Sequence, residues 1–398
     1  AAQRLCDAIG SGAASQQGGE GSAPTAQTLH RLLGWSPSRA RFARGLRDPL
    51  PHRVVVVDEA SMIDLAMMDR LFGAVRDDAR LVLLGDADQL PSIDAGAVFR
   101  DLCDGLGAAR LTKNLRVADG AGAAQIVVTA RAVNAGSLGA DFAAATRTRA
   151  RVDDVTFKGV EHLNARWSDV AEAFLERWWR ARIAPDESFA RRAERALRLR
   201  GGVFVDDADR AQIRALFDVY ARSRILCVTR AGGLSTSTEA ISDHLMARLR
   251  RDSRRAVRSA EFAPGCPVLV QRNDYERGLY NGDQGIVVRA DCGDAGHPST
   301  MAVFPNAQTS EPIALTELRG LAPAFALTVH KAQGSEFDHV ALVLPEIDLP
   351  ILTRELVYTA ITRARRSVLI VGGAEVLSRA ISRVILRESG VASKLRGG

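Results

Sequence analysis

Val54-Val55-Val56-Val57-Asp58-Glu59-Ala60-Ser61 is a four-residue apolar run that stops at two adjacent carboxylates. Branched side chains favour a strand, and the lack of polar alternation suits a strand covered on both faces. The same texture recurs at Leu81 to Leu84 before Gly85-Asp86, with helical stretches around Ala66 to Val75 and Gly96 to Leu102. Buried strands alternating with helices predict a parallel α/β sheet, which gathers its ligands at the C-terminal tips of its strands. Asp58 and Glu59 stand at such a tip.

Toward the N-terminus, residues 11 to 27 (SGAASQQGGEGSAPTAQ) are small and polar and read as a loop, with order resuming at Thr28. Toward the C-terminus, residues 120 to 222 are rich in Ala and Arg with apolar spacing near 3.6, which predicts mainly helix, with Trp178 and Trp179 in the core. Ile225-Leu226-Cys227-Val228 opens a second sheet, followed by a helix whose start is marked by Ser235 to Thr238. Between Phe262 and Leu318 the texture changes to short β-like pieces, with Asn281-Gly282-Asp283 as a hairpin turn. The parallel pattern returns at Ala324 to Val329, Val340 to Leu344 and Val368 to Val371. The expected division is a first domain over 1–110, a second over 111–260 plus 319–398, and a small β-barrel-like insertion over 261–318.

A chain of 398 residues, 46% hydrophobic, has the material for two cores. It contains no uncharged apolar run of about 18 residues and no charged-then-apolar leader, so the expectation is a cytoplasmic protein. Its cysteines (Cys6, Cys103, Cys227, Cys266, Cys292) are odd in number and lack any CxxC pair, which argues against disulfides, zinc or an iron-sulfur cluster. The net charge of +6 suits a polyanionic partner without specifying one. Lysine is scarce, with only Lys113, Lys158, Lys331 and Lys394.

Adjacent Asp and Glu at a strand tip can divide the work of phosphoryl transfer, one holding Mg²⁺ and the other orienting water; an ordinary acidic turn is the plainer reading. The next strand ends in Leu83-Leu84-Gly85-Asp86-Ala87-Asp88-Gln89-Leu90-Pro91, where the neutral amide of Gln89 can contact both a phosphate oxygen and a lytic water. Thr328-Val329-His330-Lys331-Ala332-Gln333-Gly334-Ser335-Glu336 joins a strand to a turn with a cation, a glycine and a hydroxyl, a set suited to nucleic-acid phosphate. Tyr358 to Arg366 places Arg363 after a threonine on a helix, where a guanidinium could reach a transferring phosphate or simply be solvated.

The words TLHRLLG (Thr28 to Gly34), VVVDEASMID (Val55 to Asp64), LLGDADQLPSIDAGAV (Leu83 to Val98), LTVHKAQGSEFDHVALVLP (Leu327 to Pro345) and TRELVYTAITRARR (Thr353 to Arg366) resemble, in order and spacing, the RecD helicases of superfamily 1. They are most similar to the alpha subunit of exodeoxyribonuclease V, the RecBCD complex of bacteria. The resemblance implies two RecA-like P-loop NTPase domains with ATP and Mg²⁺ in the cleft between them, 5′ to 3′ translocation on single-stranded DNA, and action at double-strand breaks with RecB-like and RecC-like partners. By matching position it implies that Asp58 and Glu59 handle Mg²⁺ and water, that Gln89 couples phosphate to motion, that Arg116 is a second phosphate-sensing arginine and that Arg363 is a finger. Thr28, His30, Thr328, His330, Lys331, Gly334 and Ser335 would line the DNA track. The insertion resembles an SH3-like module, most recognisable at Asn273, Asp274, Tyr275, Asn281 and Gly282.

One part of the family pattern is missing. None of the four lysines follows a glycine, so no GxxxxGK[ST] loop occurs in these residues, and Ala1 to Leu5 resembles the family's segment downstream of that loop. The expectation is an N-terminally truncated motor with little ATPase of its own. The alternative is a non-catalytic DNA-binding or assembly module derived from such a helicase. A PD-(D/E)xK nuclease is opposed, because Leu111, Thr156, Val329 and Ala392 stand two residues before the lysines.

Overall fold

A computed structural model describes residues 26–92, 96–111, 121–253, 262–291, 298–305, 312–387 and 389–396. Arg116, the segment Ala1 to Leu5 and most of the loop at 11–27 lie outside the described residues. The chain divides into two compact units: residues up to 114 together with those from 385 on, and residues 115–384.

In the first unit, the helix Leu29–Leu32 leads into a small antiparallel ribbon of β1 (Trp35–Ser36) and β2 (Arg41–Phe42). β3 (Val54–Val57) and β4 (Arg80–Leu83) then pair in parallel, in register from Val54↔Arg80 to Val57↔Leu83, with the helix Leu65–Ala74 as crossover. Asp64 starts that helix by accepting the Met67 amide at 2.8 Å. Val55 and Val57 pack with Leu33, Leu50, Met68 and Leu71. The expectation of a strand covered on both faces is corrected here: Val54 is 59% and Val56 42% exposed, because the helix covers one face only among the described residues.

The chain returns to this unit at its C-terminal end. The helix Val391–Arg396 packs on the helix Val98–Leu106, Ser389 donates to Asp101, and Arg387 donates to the Ser92 carbonyl. Residues from 385 on group with the first unit, whereas the sequence reading places 319–398 in the second domain.

The second unit contains β5 (Thr146–Arg149), β6 (Gly159–Leu163), β7 (Leu197–Arg200), β8 (Val203–Phe204), β9 (Ser223–Cys227), β10 (Pro267–Val270), β11 (Gln284–Asp291), β12 (Ser299–Val303), β13 (Ile313–Ala314), β14 (Leu321–Pro323), β15 (Ala326–Thr328), β16 (Phe337–Val343) and β17 (Ala364–Val371). Its main sheet is wholly parallel, in the order β15-β9-β16-β17-β6-β5. The stretch 120–222 is mainly helical, as expected, but four strands that its spacing did not announce also lie within it. β5 (TRTR) has no apolar residue, and β6 (GVEHL) carries Glu161 and His162. Both polar groups of β6 are buried and bonded: Glu161 to Arg149 at 2.8 Å and to the Thr156 amide and hydroxyl, His162 to the Gly372 carbonyl.

Trp167, Trp178 and Trp179 are all core, as expected for the last two. Ser237 caps the helix Thr238–Asp252 by accepting the Ala240 amide.

The small β region is also corrected. Its sheet runs β13-β12-β11-β10-β14, with β7 added in parallel to β11 and β8 to β7. Its ends do not pair among the described residues, so no SH3-like barrel is closed. It also draws β7 and β14 from outside 261–318. Asn281-Gly282-Asp283 ends a long connection between β10 and β11 rather than forming a two-residue hairpin turn.

Candidate nucleotide and nucleic-acid sites

In the first unit, the tips of β3 and β4 are laced together. Leu84 N donates to Val57 O at 2.8 Å, and Ala60 N to Leu84 O at 2.8 Å. Asp58 is the first residue beyond β3, and its Oδ1 accepts the Glu59 amide at 2.9 Å. Glu59 takes a left-handed conformation (φ 54°), which turns the chain sharply into Ala60–Met62 and costs on the order of 1 kcal/mol in a non-glycine residue. Beyond the Glu59 amide, neither carboxylate has a hydrogen bond or ion pair among the described residues. These half-buried hard oxygens suit Mg²⁺ and its waters.

Gly85 makes the close approach of the second tip possible: a Cβ there would lie 3.0 Å from the Phe99 ring and 3.1 Å from the Ser61 amide. The Asp86 carboxylate then accepts the Asp88 amide at 3.0 Å and, on its other oxygen, the Gln89 side-chain amide at 3.0 Å. Gln89 is buried, and Arg100 steadies the loop by donating to Ala87 O at 2.9 Å. Asp86 is thus the orienting group for Gln89, a role that sequence reasoning missed although an Asp three residues ahead signals a local turn. Ser61 was missed as well; its buried Oγ has no hydrogen-bond partner among the described residues.

Thr28 caps the helix Leu29–Leu32 by accepting the Arg31 amide at 3.4 Å. His30 is exposed and packs with Trp35 and Phe42, ring centroids 6.2 and 5.7 Å away, and Arg70 lies 5.7 Å from the Phe42 ring.

In the second unit, β15 ends at Thr328, whose Oγ1 accepts the Lys331 amide at 3.2 Å and shapes the turn His330–Ala332. Gly334 follows with φ +72°, and Ser335 N donates to Ala332 O at 3.0 Å. The Lys331 ammonium donates to Asn281 Oδ1 at 2.7 Å, joining the expected DNA track to the stretch expected to mark the β insertion. Partial burial, then the Arg230 guanidinium, lowers the Lys331 pKa.

Arg363 closes the helix Arg354–Thr362. Its side chain is buried and donates to Ser335 O at 3.3 Å, while its carbonyl accepts Phe337 N at 2.8 Å. Arg365, by contrast, pairs with Glu336. The second unit thus places Thr328, His330, Lys331, Gly334 and Ser335 on one run of turns after β15, with Arg363 bonded to its end at Ser335 O, and the first unit places Asp58 and Glu59 beyond β3 and Gln89 in the loop beyond the neighbouring β4.

Parallel strands with acidic and amide groups at their tips form a RecA-like α/β arrangement, the architecture to which the family comparisons also point. An AAA domain matches residues 7–156, and a UvrD-like helicase C-terminal domain matches residues 323–371. The RecBCD enzyme subunit RecD of Mycobacterium tuberculosis is 36% identical over 377 residues, covering 93% of this chain and 58% of the relative. The ATP-dependent RecD2 DNA helicase of Deinococcus radiodurans is 33% identical over 359 residues, covering 89% and 41%. A Bacteroides Pif1 helicase in complex with ADP-AlF3 and ssDNA aligns over 93% of this chain and 82% of its own, at 16% identity and a TM-score of 0.40. The chain is similar to RecD-like helicases over nearly its whole length, and it spans about half the length of the curated relatives it matches.

Proposed function

We propose that the chain is the larger part of an ATP-dependent 5′ to 3′ DNA helicase of the RecD kind, acting in double-strand break repair. The observation that carries this reading is the laced pair of strand tips, where Asp58 and Glu59 keep uncommitted oxygens beyond β3 and the loop beyond the paired β4 carries a Gln89 amide held by Asp86. Asp58 would hold the Mg²⁺ of bound ATP, which neutralises charge on the phosphates; Glu59 would orient the attacking water and Gln89 would sense the γ-phosphate. Arg116 and Arg363 would be the phosphate-sensing arginine and the finger. For Arg363 that role requires exchanging the Ser335 carbonyl for a phosphate oxygen, a stronger acceptor. Thr28, His30, Thr328, His330, Lys331, Gly334 and Ser335 would carry the DNA track.

A DNA substrate puts the protein in the bacterial cytoplasm, and among the described residues no helix is long and apolar enough to cross a membrane. RecB-like and RecC-like partners are proposed from the name of the mycobacterial relative.

The test is DNA-stimulated ATP turnover. In a polypeptide that includes a GxxxxGK[ST] loop, Glu59→Gln should cut turnover about 10²-fold or more while leaving single-strand binding within a few-fold. Residues 1–398 alone should turn over ATP at background, since their sequence contains no GxxxxGK[ST] loop to hold the β- and γ-phosphates. Full turnover by the Glu59→Gln protein would refute the assignment.

A further inference from the structure

We propose that Asn281 is a positioning residue for the Lys331 ammonium, a neutral acceptor that aims this cation at a nucleic-acid phosphate without cancelling its charge. The proposal rests on reading Lys331 as a phosphate contact. The two side chains are 50 residues apart in sequence and meet at 2.7 Å. Each is fixed from its own side. The Lys331 backbone is held by Thr328 Oγ1. The Asn281 amide donates to Asn273 Oδ1 at 2.7 Å, and Asn273 Nδ2 donates to the Tyr275 hydroxyl at 3.0 Å. Next to Asn281, Gly282 has φ +105°, and a Cβ there would lie 3.9 Å from the Lys331 Nζ, so the loop passes close over the ammonium.

The neutrality of the acceptor is the informative point. The same loop carries three carboxylates, and none pairs with Lys331 among the described residues: Asp274 is engaged with Arg277 at 3.1 Å and Asp283 with the Tyr280 amide at 2.8 Å, while Glu276 makes no bond to the ammonium. Among the described residues Lys331 forms no ion pair. An ammonium has three donors, so one bond to an amide oxygen fixes its direction and leaves two for a phosphate, with the full charge retained. A carboxylate partner would have to be displaced before a phosphate could be gripped. The lowered Lys331 pKa agrees, since a carboxylate in the place of Asn281 would raise it.

Binding of the 398-residue chain to a fluorescein-labelled oligothymidylate, titrated with salt, tests this. Lys331→Gln should flatten the plot of log affinity against log salt by about 0.7 to 1, the worth of one phosphate contact. Asn281→Asp should flatten it equally although the lysine is intact, and the double variant should flatten no further. Asn281→Ala should keep the wild-type slope and lose about 2- to 5-fold in affinity, as expected for one ordering hydrogen bond. With four lysines in the chain, acylation at Lys331 can be read by mass spectrometry against Lys158 and Lys394. Asn281→Asp should lower it about 3-fold or more, whereas unfolding would raise it. A wild-type slope or unchanged acylation in Asn281→Asp, with Lys331→Gln flattened, overturns the proposal alone. A wild-type slope in Lys331→Gln overturns the phosphate contact and the proposal with it.

Discussion

Arg224 on β9 is 3% exposed and forms no ion pair among the described residues, so its replacement by Met measures whether a lone buried guanidinium holds this fold together. Its Nη1 donates to Ala324 O at 2.6 Å, and its Nη2 to Tyr220 O and to Gln284 Oε1, both at 3.0 Å. The Tyr220 and Phe337 rings lie 5.8 and 5.5 Å away. Burial lowers the Arg224 pKa to about 10, a bias of roughly 3 kcal/mol against the charged form. Three hydrogen bonds from a charged donor, at about 1.5–3 kcal/mol each, outweigh that bias. Methionine restores most of the packing volume but leaves the Ala324 and Tyr220 carbonyls and the Gln284 amide without this donor. The expected net loss is about 2–5 kcal/mol, or roughly a 1 M drop in urea midpoint for a unit of this size. Tryptophan fluorescence reports this unit well, because Trp167, Trp178 and Trp179 all lie in its core. An Arg224→Met midpoint equal to or above wild type would refute the reasoning, since desolvation would then exceed the hydrogen bonds, as it does for some buried ion pairs.

Gln89→Glu sets a carboxylate against Asp86 where an amide now donates at 3.0 Å. The pair should share a proton, raising a folded pKa, so stability should fall by about 2 kcal/mol as pH rises from about 5 to 8; Gln89→Ala should show no such slope. Thermal melts at the two pH values check this, and parallel profiles for Gln89→Glu and wild type would count against the Asp86 contact. His339 bonds Ser367 Oγ at 2.7 Å; burial, then Arg182, lower its pKa to about 4 despite Asp338, and Arg366 adds to the lowering. Its neutral form is favoured in the fold, so its contribution is complete above about pH 6.5 and is lost as pH falls toward 4. With its partial exposure discounted, that loss is about 1–2 kcal/mol, and a His339→Asn protein should show a flatter stability profile across this window.

The pattern of strands was legible where apolar runs alternate with helices, and it failed where burial depends on distant partners. Four valines in a row identify β3 as a strand, but nothing local states which faces are covered; Val55 and Val57 turn inward while Val54 and Val56 do not. β5 and β6 fail in the opposite direction. A run of Thr-Arg-Thr-Arg, and a Glu-His pair inside a sheet, look like loop until Arg149, Thr156 and the Gly372 carbonyl are known to satisfy them. β7 and β14 join the small sheet through contacts that no repeat or turn signal announces.

The candidate site divides along the same line. Bonds between near neighbours leave a local signal, because the bond is a property of the turn: Asp58 with the Glu59 amide, Thr328 with the Lys331 amide, and Asp86 with Gln89, where sequence reasoning passed over it. Charge state and direction come from partners far along the chain. Arg365 and Arg277 look as promising as Lys331 on the page, yet Glu336 and Asp274 bind them, and a phosphate would have to displace a carboxylate to reach either one. Lys331 faces an amide instead. In a chain with 53 basic residues, what separates a cation able to grip phosphate from a surface charge is whether its acceptor is neutral, and that acceptor lies 50 residues away.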